Sequence, residues 1–503
     1  MQEFGDLKNL REFINAHLKF STPAPNPDVN QRMLDEYREY LEKKQFDDDS
    51  IRFYLINAKS AFEKCDAMFQ LDSEIALVNE LMLKYEQASI PRDKRNKHYV
   101  IYPVDVVLMV VMLAKLCGYN NCAEYAQFWF DANPYLQCLV PCMPGPCHMI
   151  SRETIATCLK LVPDDGYENI FNEMFAKVKI ELKDLLSPYK KKPEDFNFRP
   201  TIGGDGQELR ASYRKGETSR RKKGAHAIVI YDCDNRVVLG FTKVDRKNHE
   251  IDGFMHIMQQ ISLPEDGIFY ADALNTRKKF IDFLNGRNLD WLFAIKGQKS
   301  TKLMYEAIKE HFESGAKSKF KKVLKPNLEA GRIEERTVEA FPASELGIEN
   351  DFTAKTVIKV VKHTTYKTNG AEKPKRPTTV TRYYISSLEC TKENFEQIIH
   401  SILSRWFYES HHNTIDNVLL QDKQAVCNED HLAAIIGLNK FAFNVLSFAR
   451  QTLSKEGYTL KRHRTQNHRP LSYKLTTDIL KTEPALAYRT LIRYMMTGKE
   501  DAE

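Results

Sequence analysis

Between Ala225 and Ile295 the chain changes its hydrophobic period several times, and few architectures accommodate the resulting order. Ala225–Tyr231 is apolar and β-branched, Asp232–Asn235 supplies a turn, and Val237–Val244 is a second such run, which predicts a hairpin. Asn248–Ile261 has helical spacing, and Ile268–Ala271 is a short buried strand ending at Asp272. Thr276–Leu284 is an amphipathic helix and Trp291–Ile295 one more buried strand. Antiparallel strands followed by strand, helix and strand predict an α/β layer fold on a mixed sheet.

The flanking segments are of other kinds. Residues 1–88 read as a helical module, with Leu34, Tyr37 and Leu41, then Ile51, Tyr54, Leu55 and Phe62, at helical spacing on either side of a polar break at Asp47–Ser50. Leu34–Cys65 fits a generic helical hairpin and also slightly resembles the helical core-binding domain of tyrosine recombinases. Residues 89–188 begin with a basic loop holding Arg92, Lys94, Arg95 and Lys97, continue in an apolar helix that ends at Gly118, and add helices near 121–130 and 151–162. Tyr189–Pro200 reads as a linker. The α/β core is expected over 197–296 and 393–450, split by a β-rich insertion over 297–392 in which Ile333–Phe341, Thr356–Thr364 and Thr379–Ser386 alternate like exposed strands. Residues 451–503 form a tail, basic at Lys461, Arg462, His463, Arg464, His468 and Arg469.

A chain of 503 residues exceeds one ordinary core, and 42% hydrophobic with 28% charged residues is the profile of a soluble globular protein. The most apolar run, Val104–Cys117, is too short to span a bilayer and carries Asp105 and Lys115, so no membrane partner is expected. The amino terminus is acidic without an apolar core, which is no secretory signal and predicts a cytoplasmic protein. The net charge of +6 discriminates little; the placement of basic runs says more. In that compartment the ten cysteines predict no disulfides. Cys138, Cys142, Cys147 and His148 have spacings unlike a zinc-binding pair and are interrupted by Pro141, Pro144 and Pro146, so reduced loop thiols are expected rather than zinc.

Three acids stand out. Asp205 lies in "TIGGDGQELRAS" between two glycines, where small neighbours let a metal and a phosphate approach; the same pattern suits a turn. Asp272 ends a buried strand, where open α/β sheets place ligand-binding groups, yet it also suits a helix N-cap. Glu409, in "SRWFYESHHNTIDNV", shares a helix face with Arg405 one turn earlier, as a metal ligand or as half of a surface ion pair. Three carboxylates on two strands and a helix suit two Mg²⁺ ions, hard cations that take oxygen ligands, with Mn²⁺ able to substitute. Just beyond Asp205, the basic residues Arg210, Arg214, Lys215, Arg220, Arg221, Lys222 and Lys223 oppose one acid, Glu217, and would neutralise DNA phosphates unless they form only a solvated loop. Lys296 and Arg405 are further candidates to hold DNA near the metals.

From about Ile90 to Leu446 the chain resembles the H-repeat-associated family of insertion-sequence DDE transposases. The resemblance is carried in order by "RDKRNKHYVIYPVDVVLMVVMLAKLCG", "IGGDGQELRAS", "KNHEI", "DALNTRK", "WLFAIKGQKS", "GRIEER" and "TRYYISSL". Gln207 and Glu208 stand where the family has Lys-Thr, and Gln298 where it has Asn. The resemblance implies a ribonuclease-H-like core with Asp205, Asp272 and Glu409 as catalytic and metal-binding residues, and Glu334 in "GRIEER" is the rival third acid. It also implies metal-dependent cleavage and joining of double-stranded DNA at the ends of a mobile element, by a homodimer on DNA, in the nucleoid of a bacterial cell. The alternatives are a transposase-derived DNA-binding protein without activity, and a nuclease that cuts without joining.

Overall fold

A computed structural model of the protein describes residues 104–139, 150–161, 198–209, 225–244, 249–264, 266–329, 332–366, 376–424, 429–455 and 471–496, together with single positions at 34–55, 95–102, 168–175 and 212. The basic residues expected on DNA between Arg210 and Lys223, the basic tail positions 461–469, and Arg92, Lys94 and Lys97 lie outside the described residues, as do Cys142, Cys147, His148 and the side chain of Cys138. The chain divides into two compact units, one of residues 187–208 and 225–412, the other of residues 1–186, 209–224 and 413–503.

The first unit is built on one ten-stranded sheet. Its strands are β1 Thr201–Glu208, β2 His226–Asp232, β3 Val237–Val244, β4 Ile268–Ala271 and β5 Asp290–Ile295, then β6 Phe320–Val323, β7 Asn327–Glu329, β8 Arg332–Pro342, β9 Thr356–Tyr366 and β10 Thr378–Ser386. Their order is β3-β2-β1-β4-β5-β10-β9-β8-β6, with β7 pairing β8 outside this path. The hairpin expected from the sequence is β2–β3, and the Asp232 carboxylate holds its turn by accepting from the Asp234 and Asn235 backbone N–H groups at 3.0 and 2.9 Å. β1, β4 and β5 are mutually parallel, so the sheet is mixed and the α/β expectation holds.

Two helical layers cover the sheet. The helices Glu250–Gln260, Lys278–Asn285 and Lys302–Glu313 close one face over a core that includes Phe254, Phe269, Phe280 and Phe293. A fourth helix, Lys392–Asn417, brings Phe395, Ile398 and Ile399 onto the other face against Ile268, Tyr270, Leu292 and Tyr384. Gly204 in β1 is fixed by this packing, since a Cβ there would lie 2.6 Å from the Phe269 ring and 2.8 Å from Phe254. The helix Lys302–Glu313 was not anticipated. The strands of the β-rich region continue the core sheet through the pairing of β10 with β5. They were expected to be exposed, but Tyr383–Ser386 are buried because this half of β10 lies against β5 and β9, while Thr378–Arg382 remain exposed.

In chain order the helices of both units are α1 Val104–Leu116, α2 Cys122–Leu139, α3 Arg152–Leu161, α4 Glu250–Gln260, α5 Lys278–Asn285, α6 Lys302–Glu313, α7 Lys392–Asn417, α8 Glu429–Lys455, α9 Tyr473–Thr482 and α10 Pro484–Met496. In the second unit, α8 packs with α1, α3, α9 and α10. Leu432–Ser454 is long and apolar enough to cross a membrane by length and composition, but it is 94% buried, which is the position of a core helix. Lys115 of α1 is buried too; its Nζ donates to Asn120 Oδ1 at 2.8 Å and to the Leu419 carbonyl at 3.2 Å. Burial lowers the Lys115 pKa to about 7.

Candidate active site

The parallel pairing of β1 with β4 matches Thr201 to Ile268, Ile202 to Phe269 and Gly203 to Tyr270, a constant offset of 268 − 201 = 67. The two acids are separated by the same number, 272 − 205 = 67. Continued by two residues, the register therefore sets Asp272 level with Asp205. Both lie toward the carboxyl ends of adjacent parallel strands, where side chains point into the crevice that open α/β sheets offer to ligands. Lys296, at the carboxyl end of β5, stands exposed at the same end of the sheet.

Side chains alternate along a strand. Gly204 and Gly206 face α4, as the atoms that a Cβ would meet there demonstrate. Thr201 and Asp205 therefore face α7, and Thr201 Oγ1 donates to Ser401 Oγ at 2.9 Å. The Arg199 N–H donates to Gln397 Oε1 at 2.7 Å, so strand and helix advance in the same direction. Asp205 lies about 13 Å along the strand from Thr201, and eight helical residues beyond Ser401 rise about 12 Å, which brings the backbone of Glu409 level with Asp205. The Glu409 side chain lies outside the described residues. Arg405, one turn before it, packs its guanidinium over the Tyr270 ring with 5.5 Å to the centroid.

The electrostatics place the acids together. Burial first, and then the charges of Asp272 and Glu250, raise the Asp205 pKa from 3.8 to about 7 against the opposing hydrogen bond from the Gly206 N–H and the charge of Arg405. The site thus holds more negative charge than its own cation compensates. Asp272 caps the short 3₁₀ turn Ala273–Asn275, accepting from the Leu274 N–H at 2.9 Å, so the capping reading holds, and the cap leaves the carboxylate beside Asp205. Asn275 Nδ2 donates to Asp272 Oδ1 at 3.2 Å and to Glu250 Oε2 at 3.1 Å. A Cβ at Gly206 would lie 2.6 Å from Glu250 Oε1, so a side chain there would push the Glu250 carboxylate from its place beside β1.

Glu250 and Asn275 were missed as site residues. Both fall inside motifs singled out in the sequence, "KNHEI" and "DALN", and the three-residue step from Asp272 to Asn275 was the available signal. The rival Glu334 is placed elsewhere. It lies in β8, buried in ion pairs with Arg336 and Lys362, and four strand spacings separate β8 from β4, about 19 Å. The carboxylates of Asp205 and Asp272 are hard oxygen donors under mutual repulsion, which fits a divalent cation. Among the described residues, no three His, Cys, Asp or Glu side chains cluster at metal-holding distances.

A second polar cluster fixes α7 to the sheet. Asp234 Oδ2 accepts from the Thr201 N–H at 2.7 Å; its Oδ1 accepts from Ser404 Oγ at 2.9 Å and lies 2.7 Å from His400 Nε2. Burial pushes the Asp234 carboxyl upward, but the hydrogen bonds and the charge of His400 outweigh it and hold the pKa below 3.8. Asp234→Ala leaves the Thr201 N–H and the Ser404 hydroxyl without this acceptor. It is expected to cost about 2–3 kcal/mol in urea unfolding. A loss below about 0.5 kcal/mol would show that the cluster does not secure α7.

Residues 198–432 match the Transposase DDE domain family, a span that contains β1 to β10 and the helix bearing Arg405 and Glu409. YbfL of Escherichia coli (strain K12) is 26% identical over 379 residues, covering 73% of this chain and 91% of that protein. The protein named "Putative transposase YncI" in Escherichia coli O157:H7 is 24% identical over 361 residues, covering 71% of this chain and 85% of its own. The "H repeat-associated putative transposase YhhI" of Escherichia coli (strain K12) is 26% identical over 259 residues, covering 50% of this chain and 64% of its own.

Proposed function

We propose that the chain binds the terminal repeats of an insertion sequence and cuts and transfers their strands, as its match to the Transposase DDE domain over residues 198–432 and its similarity to H repeat-associated proteins support. Asp205, Asp272 and Glu409 are the catalytic acids of this reading, and Mg²⁺ or Mn²⁺ is the cofactor. The observation that carries it is the shared offset of 67, which puts two carboxylates side by side at the ends of parallel strands under a helix that bears an arginine and a third acid. The protein acts as a homodimer on double-stranded DNA in the bacterial cytoplasm, because two transposon ends must be handled together.

Two divalent cations, when bound, activate the attacking oxygen and stabilise the leaving one. The chain's own residues do the rest. Asp205 and Asp272 present carboxylate oxygens held by the Gly206 N–H, the Leu274 N–H and Asn275. Arg405 and Lys296 offer positive charge to the phosphates on either side of the scissile bond, which positions the strand without reading its sequence.

The test is incubation with DNA bearing the element's own ends, with Mg²⁺ or Mn²⁺, for wild type and for Asp205→Ala, Asp272→Ala, Glu409→Ala and Glu334→Ala. Cleavage and joined product lost in the first three and kept in the last is the expected result. Cleavage without joined product at any concentration would leave a nuclease. Tight specific binding with no cleavage by the wild type would leave a DNA-binding protein descended from a transposase.

A further inference from the structure

The face of the sheet that carries Asp205 continues, beyond Arg405, into a concave site that the mechanism above does not use. It lies between α7 and the strands β8, β9 and β10, and has a volume of about 300 Å³. Five cations line it: Lys325, Arg336, Lys362, Arg382 and Arg405. The acid against them is Glu334, which is buried and ion-paired to Arg336 and Lys362, so the site keeps a large positive excess. Lys325 and Arg382 are exposed and have no ion-pair partner among the described residues.

Between the cations the lining is apolar. Val360 and Tyr384 form a buried floor, and Val380 and Leu403 stand at the wall with 40% and 39% of their surface exposed. Exposed branched side chains ringed by cations, among them the exposed Lys325 and Arg382, fit a ligand that is anionic along one edge and flat and apolar along the other. A single nucleic-acid strand has this character: phosphates repeat along one side and base faces along the other. The volume lies at the lower end of the range of small-ligand pockets, about 300–1,000 Å³, which admits a nucleotide unit.

We propose that this groove binds an unpaired DNA strand leading away from the Asp205–Asp272 centre. Arg405 is the shared member: its charge acts on Asp205, and its side chain lines the groove. The proposal rests on the transposase reading for the identity of the strand, but the binding itself can be measured without cleavage.

The experiment uses the full chain and a fluorescein-labelled single strand of twenty thymidines, followed by anisotropy across a salt series, beside a labelled duplex of the element's ends. In the double variant Lys325→Ala/Arg382→Ala, single-strand affinity is expected to fall about tenfold or more. The slope of log K against log salt should shrink by about 1.4, or about 0.7 for each lost phosphate contact. The double variant Lys302→Ala/Lys309→Ala, on the exposed side of α6, should bind as the wild type does. Unchanged single-strand binding by the groove variant, with an unchanged circular-dichroism melt, overturns the proposal. An equal loss on single strand and duplex also overturns it, since that reports a general positive field. A wild type that binds the single strand but never cleaves brings down the transposase reading and leaves the groove standing.

Discussion

Asp205→Asn is expected to abolish metal-dependent cleavage and, in the same protein, to raise the melting temperature in EDTA. The folded environment raises the Asp205 pKa from 3.8 to about 7, so the fold binds this proton more tightly than the unfolded chain does. Stability from this group is therefore complete below about pH 4, declines as pH rises from there to about 7, and is level above. The difference is on the order of 4 kcal/mol at about 1.4 kcal/mol per pH unit. Asparagine keeps the shape and removes the charge, so the variant should show little of that decline. Thermal melts at pH 5 and pH 8 in EDTA measure this, and Mg²⁺ should raise the melting temperature of the wild type far more than that of the variant. Cleavage should fall about a thousandfold or more, since the proposed function assigns several kcal/mol of transition-state stabilisation to this carboxylate. A variant that still cleaves, or a wild type as stable at pH 8 as at pH 5, would remove Asp205 from the centre.

The second large effect belongs to the layer beneath the site. Phe269 is fully buried in β4, three residues before Asp272, and its ring meets Phe254, Phe280 and Phe293 at centroid distances of 5.8, 5.4 and 6.4 Å. Phe269→Ala removes a ring that meets all three others and leaves a cavity under Gly204. A loss of about 3–5 kcal/mol follows from the transfer of a buried aromatic ring plus the cavity it vacates. The urea midpoint should move down with little change in slope. A loss under about 1 kcal/mol would mean that the three remaining rings collapse onto the space, and that β4 is held chiefly by its two backbone ladders.

Much of this arrangement was legible in the sequence because it is local. The hairpin, the two short strands that precede and follow Asp272, and the helices beside them announce themselves by period and by turn residues. The spacing of Asp205 and Asp272 was visible as a number; its meaning became clear only when the same number appeared as the register of two parallel strands. Glu250 could not be placed that way. It starts a helix, and only the approach of α4 to the glycine at 206 brings its carboxylate to the centre. The continuity of the late strands with the core sheet was equally hidden, since β10 pairs with β5 across more than eighty residues of chain and alternation alone does not name a partner.

The sheet ends at β6, a strand of four residues with the sequence Phe-Lys-Lys-Val. Lys321 is tied to Glu339 at 2.7 Å and Lys322 to Glu396 at 2.6 Å. A long sheet with an open border invites another molecule to add a strand, which is how ordered aggregates begin. A border this short, fenced by ammonium groups that are themselves anchored, makes such recruitment costly. At this border, therefore, the wide β platform is a poor template for its own polymer.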